Sequence, residues 1–188
     1  MLIKVDLTGV RPLVMHNARL ADPLDPVAQE LAKLTSKQKK TPTDHEMLSD
    51  VEWRGSLYWD DGPYIPAEAI LRSFRDAAGA WKLGPSVERG LLATIDHCTV
   101  VHDGPKTSEA LCKDKRFRLR KSVVVNRGRV PRTRPLFRTW ALHAEFEWND
   151  SELSLANLER IAERAGIFFG IGTARKLGYG RFIAAITA

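Results

Sequence analysis

Residues 140–148 read Trp-Ala-Leu-His-Ala-Glu-Phe-Glu-Trp, so Trp140, Leu142, Ala144, Phe146 and Trp148 take every second position. Ala141, His143, Glu145 and Glu147 fill the places between them. A period of two over nine residues is compatible with an extended strand that has one face buried and one in water, and with little else. A second run of this kind opens the chain, where Ile3, Val5 and Leu7 alternate with Lys4, Asp6 and Thr8. The chain therefore has to build a sheet with one covered face, and the cover has to come from elsewhere in the sequence.

Helical patterns supply it. From Pro66, Ile70, Phe74, Ala77, Ala78 and Trp81 form an apolar stripe, with Arg72, Arg75 and Asp76 off it and Gly84-Pro85 predicted to stop the helix. Ser154 is placed to cap a helix carrying Leu155, Leu158, Ile161, Ala162 and Ala165, with Gly166 as its C′ residue. Residues 94–102 and 181–187 read as further strands. The order strand, helix, strands, helix, strand predicts an α+β fold, a ferredoxin-like (RRM-like) split βαβ domain spanning 1–188. Two elaborations interrupt it. The 17–55 insertion offers Asp25-Pro26 as the start of a helix with Val27, Leu31 and Leu34, then a polar loop and a further short helix over 44–54. The basic arm, 103–138, holds Asn126-Arg127-Gly128 between valines, the pattern of a short hairpin loop.

Charge is concentrated in that arm. Residues 113–138 contain 11 Lys+Arg and one acid, Asp114, whereas the rest of the chain has 18 Lys+Arg against 22 Asp+Glu. A segregated cationic segment gains a monomer nothing, because its charges repel one another, and it reads as a footprint for a polyanion. No apolar run approaches the ~18 residues of a membrane span, no signal pattern opens the sequence, and Cys98 and Cys112 lack metal-ligand spacing. These features predict a cytoplasmic protein without membrane attachment, metal or other cofactor.

The stretch Phe-Phe-Gly-Ile-Gly-Thr-Ala-Arg-Lys-Leu-Gly-Tyr-Gly-Arg-Phe, 168–182, sets Gly170, Gly172, Gly178 and Gly180 among Arg175, Lys176 and Arg181. Backbone N–H groups unobstructed by Cβ atoms form anion-binding concavities, and the cations add charge. The bland reading of these glycines is a connection that lets the last strand pack closely. Together with Gly62–Gly79, "GPYIPAEAILRSFRDAAG", the glycine-rich stretch resembles the two motifs of the RAMP superfamily of CRISPR-associated RNA-binding proteins. Within it, the chain looks most like the single-domain backbone subunits of CRISPR effector complexes. That resemblance implies a non-catalytic subunit that binds single-stranded, guide-type RNA, polymerises along it with copies of itself, and contacts other subunits of a ribonucleoprotein. It makes Arg127–Arg134 a thumb-like element. The expected nucleic-acid-binding residues are Gly170, Gly172, Arg175, Lys176, Gly178 and Gly180 in the turn, Arg127, Arg129, Arg132 and Arg134 in the arm, and Arg72 and Arg75 on the early helix.

Two rival readings stand beside this one. Some relatives cleave RNA with a histidine, and His16, at the end of the first strand, is the candidate here, since an imidazole titrates near neutrality. Alternatively, the chain is a scaffold whose arm grips an acidic protein or DNA. Phe117 and Phe137 suit either stacking between bases or a core.

Overall fold

The computed structural model describes residues 1–125 and 128–187. In chain order the elements are β1 (Leu2–Gly9), β2 (Leu13–Val14), α1 (Pro26–Ser36), α2 (Pro42–Ser56), β3 (Tyr64–Pro66), α3 (Ala67–Ala78), α4 (Gly84–Gly90), β4 (Leu91–Ala93), β5 (His97–His102), α5 (Ser108–Lys113), β6 (Arg118–Val125), β7 (Gly128–Phe137), β8 (Trp140–Trp148), α6 (Leu155–Arg164) and β9 (Phe182–Thr187). The fold is α+β with antiparallel sheets, and its contacts divide it into two compact units.

The first unit comprises residues 1–13, 60–103 and 138–188. Its sheet runs β3-β5-β8-β1-β9, with β4 also paired to β8. The register Ile3↔Phe146, Val5↔Ala144, Leu7↔Leu142 puts the two alternating runs on one buried face, and Ile3, Val5 and Leu7 are fully buried. Ile70, Phe74, Ala77 and Ala78 of α3 and Leu158, Ile161 and Ala162 of α6 complete that core. Each large apolar side chain so buried contributes about 1.5–3 kcal/mol.

Some helix boundaries differ from expectation. Trp81 is 37% exposed, and the helix of α3 stops before it, at a 3-10 turn closed by Lys82 at φ 57°. Gly84-Pro85 opens α4 instead of ending α3, because a proline in a first turn gives up an N–H that has no helical partner anyway. The strand expected over 94–102 is β5, preceded by the separate short β4. Gly166 does not terminate α6. The chain continues through a π turn, Ala165–Phe169, and turns out at Gly170, φ 69°. Gly166 is needed for clearance: a Cβ there would lie 2.1 Å from the Phe182 carbonyl oxygen.

The second unit comprises 14–59 and 104–137, so the insertion and the arm pack as one body. Asp25 caps α1 by accepting from Val27 and Ala28 N–H, and Thr41 with Asp44 forms a capping box on α2, a longer helix than the 44–54 expected. β7 pairs with β6 from Arg118↔Pro135 to Val125↔Gly128, which makes the arm a two-stranded ribbon, and β2 lies on the other side of β7. Asn126 and Arg127, of the expected hairpin loop, lie outside the described residues. At the ribbon's base Trp53 Nε1 donates to the Phe117 carbonyl at 2.8 Å. Phe117 and Phe137 meet edge to face at 5.6 Å and are buried, so both belong to this unit's core and not to a stacking surface.

Candidate nucleic-acid interface

In the first unit the glycine-rich turn joins the π turn to β9. Gly170, Gly172, Gly178 and Gly180 all have positive φ, between 68 and 86°. Gly180 also needs clearance, since a Cβ there would sit 1.9 Å from the Ile171 carbonyl oxygen. Most of the amides are spent inside the chain. Gly170 donates to Ala165, Ile171 to Gly180, Gly178 to Arg175 and Gly180 to Pro12, at 2.7–3.0 Å. Among the described residues, Gly172 is the glycine of this turn whose N–H has no acceptor in the chain. The expected concavity of successive free N–H groups is thereby narrowed to the Gly172–Arg175 arc, and the turn's capacity for anions falls to its side chains.

Those side chains are arranged unequally. Arg175 Nη1 reaches Asp76 of α3 at 3.2 Å, with both partly exposed. Arg181 Nη2 donates to the Arg175 carbonyl at 3.1 Å, Nη1 is buried without a partner, and no carboxylate among the described residues pairs with this guanidinium. Loss of water, and then the neighbouring Arg175 charge, push the Arg181 pKa down, the mark of a cation short of a counterion. Lys176 is exposed. On α3, Arg75 is held by Glu88 at 2.9 Å, whereas Arg72 is exposed and has no carboxylate partner among the described residues.

In the second unit the ribbon carries the same contrast. Arg118 is structural: it bonds Asp50 at 2.6 Å, the Cys112 carbonyl at 2.7 Å and Ser49 Oγ at 2.8 Å. Arg132 is paired with Glu52 of α2 at 2.9 Å, and the other oxygen of Glu52 accepts the Thr133 N–H at 2.8 Å. Glu52 is 4% exposed, and this carboxylate both accepts from a buried amide of β7 and fixes one arginine. Arg120, Lys121, Arg129 and Arg134 have no carboxylate partner among the described residues. Lys121 lies opposite Arg132 and Leu119 opposite Arg134, so these residues share one face of the ribbon. Desolvation lowers the pKa of Arg134, with the adjacent Arg132 adding to the effect against Glu52. Arg127 lies outside the described residues.

His16 follows β2 on the same unit. Its Nδ1 is 3.4 Å from Ser56 Oγ, and Tyr58 Oη donates to its carbonyl at 3.4 Å. Desolvation, then Arg134 and Arg132, lower its pKa, so the imidazole is neutral at pH 7 and sits in the positive field of two arginines. Sequence reasoning passes over Glu52, Lys121, Arg120 and Arg11, and it counts Arg181 among the turn's cations without placing it among the expected binding residues. The charge tally counts the cations but cannot say which ones the fold neutralises, and pairing of the insertion with the arm has no local signature.

No cluster of three or more His, Cys, Asp or Glu suited to a metal occurs among the described residues, and none of their helices is long and apolar enough to cross a membrane. No protein-family model matches the chain, and no curated protein matches it.

Proposed function

We propose that the protein is a non-catalytic, single-stranded RNA-binding subunit of the RAMP type that assembles side by side with copies of itself in the cytoplasm. The succession β1, α3, β4–β5, β8, α6, β9 and the neighbour order β5-β8-β1-β9 fit a ferredoxin-like core. One observation carries the reading: among the described residues the ribbon keeps Arg120, Lys121, Arg129 and Arg134 without carboxylate partners, while the exposed Asp50 and the buried Glu52 are spent on Arg118 and Arg132. A fold able to neutralise its arginines has left these uncompensated, which costs self-repulsion that a phosphate backbone offsets. Lys121 and Arg134 lie on one ribbon face and Arg120 and Arg129 on the other, and cations spaced along a ribbon suit successive phosphates, with no base readout required.

Fluorescence anisotropy with a labelled single-stranded RNA, titrated at several salt concentrations, tests this. The log–log plot of affinity against salt should fall with a slope of about −0.7 per phosphate neutralised. A flat response refutes it, and preferential binding of duplex DNA or an acidic protein in competition favours the scaffold reading instead.

A second reading, an endoribonuclease, rests on His16: a neutral imidazole beside two guanidiniums is suited to take a proton from a ribose hydroxyl. Incubating labelled RNA with wild type and with His16→Ala, with and without divalent metal, separates the two. Defined cleavage that is lost in the variant establishes the enzyme.

A further inference from the structure

In the first unit the glycine-rich turn forms one wall of an open cleft of about 470 Å³, lined by Arg11, Pro12, Ile167, Leu177, Gly178, Tyr179 and Arg181. Two properties distinguish this cleft from an ordinary surface groove. Its charged groups are both arginines, Arg11 and Arg181, and neither has a carboxylate partner among the described residues. Its other walls are apolar, and Ile167 and Leu177 are left 55% and 68% exposed. Large aliphatic side chains held at the mouth of a cleft with underpaired guanidiniums call for a ligand with an anionic end and a flat apolar body.

The guanidinium of Arg181 strengthens the case. Its Nη1 lies beneath the surface without an acceptor, and its Nη2 has only the Arg175 carbonyl. The turn that creates this arrangement is tied down by main-chain hydrogen bonds. Positive φ at Gly178 and Gly180 and the bonds Gly180 N–H to Pro12 and Leu177 N–H to Ala174 fix Leu177 and Tyr179 relative to Pro12 and Arg181. A bare phosphate would use the arginines and leave the aliphatic walls wet; a nucleotide uses both.

We propose that this cleft is a one-nucleotide subsite for single-stranded RNA, in which Arg11 and Arg181 hold the phosphate and Leu177, Ile167 and Tyr179 contact the base. It deepens the RNA-binding reading above and rests on it. The subsite assigns the glycine turn a shaping role, with side chains and not free amides meeting the strand. Contact of an aliphatic and a phenol face with a base is sequence-tolerant, as a subunit that coats any guide requires.

The test uses a decamer of uridine carrying 5-iodouridine at every position, with photo-cross-linking mapped by mass spectrometry and affinity read by anisotropy. Arg11 and Leu177 are both exposed, so Arg11→Gln and Leu177→Asp leave the fold intact, and unchanged thermal melts verify this; Arg181→Gln is the third variant. Cross-links to Tyr179 or its neighbours, and a loss of about fivefold or more in affinity for Arg11→Gln and for Leu177→Asp, are expected. If the wild type binds the decamer with a steep salt dependence, both exposed variants bind equally well, and every cross-link falls within 118–137, the subsite is overturned while RNA binding stands. If the wild type does not bind the decamer, both readings fall.

Discussion

The two units use one electrostatic device at different depths. In each, an arginine paired to a carboxylate lies beside one that has none: Arg132–Glu52 beside Arg134 in the second unit, Arg175–Asp76 beside Arg181 in the first. The paired arginines are equally exposed, 30% each, but the side chain of Glu52 is 5% exposed and that of Asp76 31%. A buried carboxylate that also caps a backbone amide cannot be spared, whereas a half-exposed one shares its charge with water. The ribbon's cations are therefore set on a scaffold the fold depends on, and the glycine turn's are set on a pair the fold can lose.

That contrast is easiest to break by removing each acid. Glu52→Gln should cost about 3 kcal/mol in chemical denaturation, because Arg132 is left uncompensated and a buried bond to Thr133 is weakened. Asp76→Asn should cost about 1 kcal/mol or less. Equal losses would erase the distinction. Next in size is the combined variant Lys121→Glu, Arg129→Glu, Arg134→Glu, which spares the structural Arg118 and Arg132. It should weaken single-stranded RNA binding about 100-fold, alike for all sequences, and flatten the salt slope; selective loss for some sequences would indicate base readout. Gly178→Ala, at φ 86° with open space around the added methyl, should cost only about 1 kcal/mol of stability, from backbone strain alone.

The smallest effect concerns protons, and it is expected in the second unit. His16 is held below its ordinary value, so below about pH 6.5 the unfolded chain binds a proton that the native state resists, and stability falls as the pH drops through that range. RNA phosphates would offset Arg132 and Arg134 and raise the imidazole, so binding takes up a proton. Affinity should then rise roughly twofold from about pH 7.5 to about pH 6, and His16→Ala should abolish the rise.

The alternating runs are legible because burial on one face repeats every second residue: β8 has the limits of its pattern, Trp140–Trp148, and β1 takes the alternating run Leu2–Gly9 but does not reach His16 as expected, because Leu13–Val14 forms a separate strand paired with β7. Asp25-Pro26 and Ser154 were equally readable, since a cap acts on the next three residues. What escaped depends on distant partners. Periodicity marks Phe117 and Phe137 as apolar without saying that Trp53 waits for them, and nothing near Glu52 foretells its bond to Thr133, 81 residues on. Gly166 was misread for a similar reason, because its neighbour is Phe182 of another element. The cationic segment was plain in the sequence, but its division into structural and unpaired arginines is a property of the register.

The position of β1 between β8 and β9 has a consequence for synthesis on the ribosome. β1 emerges before both of its partners and cannot complete its hydrogen bonds until Trp148 and then Thr187 have left the exit tunnel. Every segment of the cationic unit is out by Phe137. The nascent chain can thus finish its ribbon while both edges of β1 still wait, exposed, for β8 and β9.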